Sequence, residues 1–594
     1  QTPNPKPQTP TPYKVISILK VNKYKIIMSV STQEFEKVSL YISCRGLKKS
    51  HPNNQVSVSL QSFDNRMDGT YLGKTEQVNT DSNVDFATNI DINFIFERKQ
   101  SIKAICYENR DNIHGSTILG IANFDLSEVV GSLDNLKIYH LMNNANVSIG
   151  KIVLRSERPS GGPQYHMSFD LFISMIPKFN YFSYRNYYLE IYKNLQNDKK
   201  GKSFNNMEVL KETQLKWLLV ENTKCQKGEN YELRNFNIAA LKLCNNDLNN
   251  IFKIEIWKFK KNSQHYLMGE IEVPIKSLTE GRYQGSFTML KSIDPPVLTI
   301  QNFKYEESFT FLDYIRGGLC INLVVGIDFT ASNKDPSDLS SLHRIINDGL
   351  NMYQSSILSV GEILEDYNHT GQIATYGFGA KFGNPSVTSH FFPLSLNNTN
   401  PFFNSFNELF ETYKKRLFDL QFSGPTLFAP LLEKLIEFAE RKFQLNPFNY
   451  TTLLLLTDGV VNDLQATIDQ VVKASKLPIS IIIVGIGNEN FENMNVLDAD
   501  VHPLISSLGE QSHADILQFV PYNQFMNNPF LLRSEVLAEL PIQVTNFYRK
   551  MNIRPLNRHA PSLTNLSRQF TVQADLNNAK YNADKYPSLE TVFK

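Results

Sequence analysis

Neither sign of charge dominates this chain: 60 Lys and Arg face 59 Asp and Glu, leaving a formal +1. That balance supplies no overall field for a polyanion, so nucleic acid is not an expected partner and any charge-driven contact must be local. Cysteine is sparse as well, with Cys44, Cys106, Cys225, Cys244 and Cys320 scattered and odd in number. No CxxC pair or Cys/His cluster of zinc spacing occurs, and a reducing, cytoplasmic setting is the better expectation. The longest apolar stretches, Leu477 to Ile486 and Leu319 to Ile327, fall short of the ~20 residues a membrane helix requires. Because the chain opens at Gln1 rather than methionine, the lack of a signal peptide weighs little.

What is present is apolar bulk. Hydrophobic residues make up 41% of the 594 positions, too many for a disordered chain. The length suggests three or four compact units. Residues 1 to 12 carry five prolines and read as an extended leader. Short segments rich in branched and aromatic residues then run to about residue 300, among them KVSLYISC, QVSVSLQSF, SIKAICYE, NYYLEIYK and FKIEIW, separated by Asn/Asp/Gly/Ser turns. That pattern predicts antiparallel β-sandwiches. An internal repeat makes two of them: Thr117-Ile118-Leu119-Gly120 and the nine residues after it align without a gap on Tyr266-Leu267-Met268-Gly269 and its successors. The copies stand one domain length apart, roughly 150 residues. The Ser160-Gly161-Gly162-Pro163 punctuation separates them, giving sandwiches at 13–160 and 163–300.

Beyond residue 310 the pattern changes. Four apolar runs (CINLVVGID, QIATYGFGA, TTLLLLTD, ISIIIVGIG) alternate with helical segments at 352–367, 426–443 and 463–476. In the second helix, Phe428, Leu431, Leu432, Leu435, Ile436, Phe438 and Ala439 share one broad face. Strands buried on both sides and alternating with helices predict a parallel, doubly wound α/β sheet over 308–550, with a binding site outside the carboxyl ends of its strands. Residues 551–594 form a tail.

The first of these runs ends in Asp328-Phe329-Thr330-Ala331-Ser332, whose spacing of two brings Asp328, Thr330 and Ser332 to a common point if the loop curls around an ion. Ser423-Gly424-Pro425-Thr426 precedes a long helix, and Asp458 follows another apolar strand. Either aspartate alone reads as a helix cap. Four such pieces in order favour a metal site, and hard oxygens with only two carboxylates suit Mg²⁺.

This series resembles the metal-ion-dependent adhesion site of von Willebrand factor A domains, with Thr330 where serine is commoner. The resemblance implies Asp328, Thr330 and Ser332 as first-loop ligands, Thr426 as the second-loop ligand, Asp458 as the third, often through water, and an open position for a partner's acidic residue. INLVVGIDFTASNKDPSDLSSLH, SGPTLFAPLL, LLLLTDGVVND, KASKLPISIIIVGIGN and DILQFVPYNQF narrow it further, being similar to the A domain of copines. Copines carry two C2 domains, which are calcium- and phospholipid-binding β-sandwiches, ahead of one A domain.

A calcium-binding C2 domain collects clustered aspartates from two loops. Matched to that pattern, the second sandwich has Asn180 and Asn186 in its first loop and Lys258 and Lys260 in its third. The site charge would pass from about −4 to about +2, and at ~4 Å each unit-charge repulsion costs about 4 kcal/mol at an effective dielectric of roughly 20. Ca²⁺ is therefore not expected there. In the first sandwich, Asn53 stands near an expected aspartate, and the third loop keeps Glu108 but has Arg110, with Asp111 adjacent. An abandoned loop that drifted explains these changes. So does a loop whose Lys258, Phe259, Lys260 and Lys261 meet anionic lipid without calcium. Lys199-Lys200-Gly201-Lys202 reads as a solvated insertion, and Gly377-Phe378-Gly379 as a strand-end turn rather than a dinucleotide fingerprint.

The resulting expectation is a non-enzymatic copine-like adaptor. It would dock proteins through Mg²⁺ and attach peripherally to membrane or cytoskeleton, including the cilium, through calcium-independent C2 domains. Two alternatives stay open: a calcium-dependent phospholipid-binding protein that translocates to membranes, and a structural part of a large cytoskeletal or ciliary assembly. Catalysis with Asp328 as nucleophile lacks the second acid that would protonate a leaving group, since Thr330 occupies that position.

Overall fold

The structure, a computed structural model, describes residues 35–51, 54–64, 67–79, 82–109, 116–159, 164–176, 186–195, 217–260, 265–289, 295–347, 349–383, 387–395, 400–489, 491–498, 503–525 and 528–556. The proline-rich leader, the lysine-rich insertion and the tail beyond residue 556 lie outside them. The chain forms two compact units, one combining residues up to Pro159 with those from Thr310 onward, the other spanning Ser160–Phe309.

Within the first unit, the described strands between Glu36 and Glu157 form one antiparallel sheet assembly. Glu36–Arg45 pairs with Ser148–Glu157 in unbroken register, and its Val38, Leu40, Ile42 and Cys44 are buried by period-two alternation. The second unit is a two-sheet antiparallel sandwich. Gln164–Ser174 lies between Tyr231–Ala239 and Val297–Ser308 in one sheet, and Asn186–Asn194, Ile251–Lys258 and Tyr266–Pro274 adjoin in the other. Both copies of the sequence repeat fold alike, each as a strand running into a short helix: Ser116–Asp125 into Leu126–Val130, and Tyr266–Pro274 into Ile275–Leu278. In both, the pairing register slips beside the glycine, so that Leu119 and Met268 are bulged.

The remaining part of the first unit is a mainly parallel sheet. Its strands lie in the order Ile373–Phe378, Cys320–Asp328, Asn449–Thr457, Ile479–Gly485, Leu517–Pro521, with the short Phe392–Pro393 antiparallel at the edge. Every residue of Cys320–Asp328 is buried, as a strand covered by helices on both faces requires. Connections leave Cys320–Asp328 toward one edge and resume at Asn449–Thr457 toward the other, so the topological switch point lies between these two strands. Gly326 admits the helix Ala429–Leu445 at close range, because a Cβ there would stand 2.6 Å from Leu431 Cδ2.

The fold also contains helices the sequence reading did not include: Phe406–Asp419, capped by Ser405, and Pro529–Leu537 and Leu540–Lys550 near the end. Of the expected apolar face on Ala429–Leu445, Leu431, Leu432, Leu435 and Ala439 are buried, while Ile436 and Phe438 are half-buried. The antiparallel sandwich and the parallel sheet of this unit are held together by Arg158, whose Nε donates to Asp313 Oδ1 at 2.9 Å and whose Nη2 reaches the other oxygen. Phe96 packs between the rings of Phe311 and Tyr367, at 4.8 and 5.2 Å.

Candidate metal centre

The switch point carries a cluster of oxygens. Asp328 ends its strand fully buried, and its Oδ1 accepts from Thr330 N at 2.8 Å while Oδ2 accepts from Thr457 Oγ1 at 2.5 Å. The first bond curls the loop back, and the chain continues into the tight turn Ala331–Asn333. Thr330 Oγ1 then lies 3.0 Å from Ser332 Oγ, and Ser332 Oγ donates to Asp458 Oδ1 at 2.8 Å. Thr426 Oγ1 stands 3.5 Å from Thr330 Oγ1. All five residues named from the sequence therefore meet in one place.

Two contacts hold the second loop there. Thr330 and Ser423 form a parallel bridge, and Asn462 Oδ1 accepts from Thr426 N at 2.8 Å. Between Ser423 and Thr426, the Gly424-Pro425 peptide is cis. Asp463 supplies the helix cap: its carboxylate accepts from Phe428 N and Ala429 N at 3.0 and 2.9 Å. Gly379, with φ +78°, lets the neighbouring strand end close against Thr330, where a Cβ would meet Thr330 Cγ2 at 2.3 Å. Gly459 keeps the mouth clear, since a Cβ there would stand 3.2 Å from Thr426 Oγ1.

Burial raises the Asp328 carboxyl above its ordinary range, against the hydrogen bonds from Thr330 and Thr457. Burial and then the negative charge of Asp328 push Asp458 up to about 7. Among the described residues neither carboxylate has an ion-pair partner. Two buried carboxylates and three hydroxyls, without a nearby cation to balance them, fit a small hard divalent ion. No group of three or more His, Cys, Asp or Glu that could hold a metal ion occurs among the described residues.

Sequence reasoning did not single out the residues that support the cluster. His343, fully buried, lies with Nε2 2.8 Å from the Asp328 carbonyl and Nδ1 2.7 Å from Tyr413 OH. The carbonyl can only accept, so Nε2 carries the proton. Burial pushes this imidazole down to about 3, which keeps it neutral. Asn333 donates to Asp458 Oδ1 at 2.9 Å and accepts from Tyr353 OH at 2.6 Å.

The sandwich loops divide. Glu108 is buried, and its carboxylate accepts from Ser50 N, Ser50 Oγ, His51 N and Asn54 Nδ2 at 2.8, 2.7, 3.2 and 3.0 Å. Burial opposes its ionisation, but these bonds prevail and hold the carboxyl below its ordinary range. Lys258 is a correction to the expected lipid contact: it is 1% exposed, because it continues the inward alternation of Phe252, Ile254 and Ile256. Phe259 is exposed and meets the His265 ring edge-on, and the Lys260 ammonium lies 4.1 Å from the Tyr266 ring centroid. Asn186 opens its strand, its carbonyl accepting from Phe259 N at 2.9 Å. Asn53, Arg110, Asn180 and Lys261 lie outside the described residues.

The copine family profile matches residues 341–556, a span that holds Thr426 and Asp458 and begins after Asp328. Copine-A of Dictyostelium discoideum is 31% identical over 532 residues, covering 87% of this chain and 85% of that protein. Among solved structures, the calcium-bound tandem C2 domains of Extended-Synaptotagmin 2 align at 10% identity and TM-score 0.18, over 46% of this chain and 98% of that one. Manganese-loaded Plasmodium vivax TRAP protein aligns at 12% identity and TM-score 0.23, over 36% and 74%. No described helix is long and apolar enough to cross a membrane.

Proposed function

The chain belongs to the copine family, and from that premise we propose a non-enzymatic adaptor that docks protein partners through a divalent cation held by Asp328, Thr330, Ser332, Thr426 and Asp458. The observation carrying this reading is the convergence of three separated loops, with Ser332 Oγ 2.8 Å from Asp458 and 3.0 Å from Thr330 Oγ1. A Mg²⁺ ion there would offset the repulsion between the two buried carboxylates and supply an open position for an acidic side chain of the partner. Gly459, without a side chain, leaves room beside Thr426 for that approach. This is a von Willebrand factor A-like role for the parallel sheet.

The C2-like sandwiches would attach the protein peripherally to anionic lipid or cytoskeletal structure without calcium. Support comes from Glu108, whose oxygens are already occupied by loop donors, and from Lys260 beside the exposed Phe259. A cytoplasmic location fits this role.

Partner capture by the full chain tests the docking reading. It should require Mg²⁺, cease in chelator and cease in Asp328→Ala. Metal-dependent phosphate release abolished by the same substitution would instead establish catalysis. Vesicle sedimentation of the full chain tests attachment: pelleting that needs Ca²⁺ would establish the calcium-triggered alternative. The intact chain is used because Arg158 and Phe96 of the first sandwich pack against Asp313 and Phe311.

A further inference from the structure

We propose that Asn333 is a positioning residue for the cation site, holding Asp458 by one carboxylate oxygen so that the other remains to serve the ion or its water. The inference rests on the cation reading above and assigns a role to a residue outside its five ligands.

Asn333 follows Ser332, and the two side chains converge on the same atom. Ser332 Oγ donates to Asp458 Oδ1 at 2.8 Å and Asn333 Nδ2 donates to it at 2.9 Å. A carboxylate oxygen has two lone pairs, so Oδ1 is fully engaged by the first loop and Oδ2 is the atom with capacity to give. The amide's orientation follows from its second partner. Tyr353 OH lies 2.6 Å from Asn333 Oδ1, so the carbonyl end accepts from the phenol and the NH₂ end turns to Asp458. Reversed, the amide oxygen would face the Asp458 carboxylate oxygen.

Asn333 and Tyr353 are both fully buried, and the Tyr353 ring stacks on His343 at 4.1 Å. His343 in turn bonds the Asp328 carbonyl. One packed set therefore fixes the first loop and reaches across to the third. Partners outside the coordination sphere that orient a ligand typically contribute about 10–100-fold to metal affinity.

Calorimetric titration of the full chain with Mg²⁺, repeated with Mn²⁺, tests the role. Asn333→Leu should weaken affinity by about 10–100-fold and Tyr353→Phe by a smaller factor. The double variant should bind no more weakly than Asn333→Leu, because Tyr353 acts through Asn333. A purely packing role would make the two losses add. Should Asn333→Leu fail to fold, Tyr353→Phe decides: weaker binding with an unchanged melting temperature in chelator supports the role, and unchanged binding overturns it. Additive losses, or Asn333→Leu binding as the wild type does, overturn the Asn333 role alone. A wild type that binds neither ion overturns the cation reading and this inference together.

Discussion

Replacing Asp458 by asparagine should make the metal-free protein more stable at alkaline pH while removing its response to Mg²⁺. The sign follows from the charges. Asp458 is raised from the ordinary 3.8 to about 7 by burial and by Asp328. A carboxyl raised in the folded state favours folding fully when protonated in both states, below about pH 3.8, and that contribution is lost as pH rises toward 7 and above. A difference of this size corresponds to a free energy on the order of 4 kcal/mol. In chelator, the unfolding transition of the unit holding the parallel sheet should therefore fall in temperature between pH 5.5 and 8.5. A cation at a hundredfold excess over its dissociation constant restores about 2.7 kcal/mol, a rise of several degrees in melting temperature. Calorimetric melting of the full chain at pH 5.5, 7 and 8.5, with Mg²⁺ or chelator, measures both effects. Mg²⁺ should stabilise most at pH 8.5 and least at pH 5.5, where protons compete for the carboxylates. In Asp458→Asn the decline in chelator should shrink and the Mg²⁺ increment vanish. Wild-type melting that is flat with pH and indifferent to Mg²⁺ would refute the reasoning.

Three further outcomes follow from local geometry. Glu108→Gln removes a charged acceptor with four loop donors and should destabilise the first sandwich by about 2 kcal/mol; because Glu108 is held below its ordinary range, the stability it contributes is present near neutral pH and lost as pH falls through its folded value, seen as an acid-shifted melting profile. Gly326→Ala places a Cβ 2.6 Å from Leu431 and should cost about 1–3 kcal/mol in denaturant unfolding. Lys260→Ala should weaken binding to phosphatidylserine vesicles by about fivefold, near 1 kcal/mol, with equal losses in calcium and in chelator.

The first loop of the candidate site was legible because its oxygen-bearing residues are local, whereas Thr426 and Asp458 join it from about a hundred residues away. Asp328, Thr330 and Ser332 stand two residues apart at the end of one strand, and a single turn suffices to gather them. Their supporters were not. His343, Tyr353 and Tyr413 sit in a loop and two helices, and nothing in their own segments distinguishes a residue beneath the oxygen cluster from an ordinary core aromatic. The helix Phe406–Asp419 carries its own signal, since Phe406, Leu409, Phe410, Tyr413 and Leu417 follow helical spacing with mostly polar residues between them. Lys258 departs from its expected exposure because lysine is ordinarily a surface residue, while its place in the alternation of the strand turns it to the core.

Chain order and hydrophobic period by themselves indicated the two kinds of sheet, since the alternation within each short segment depends on neighbours within a few residues. Tertiary structure alone decided that Asn333 meets Asp458, that Glu108 closes its own loop, and that Arg158 of the first sandwich pairs with Asp313. These contacts join residues 125, 58 and 155 positions apart. Their partners are selected by how whole elements pack, and no short stretch of sequence encodes that.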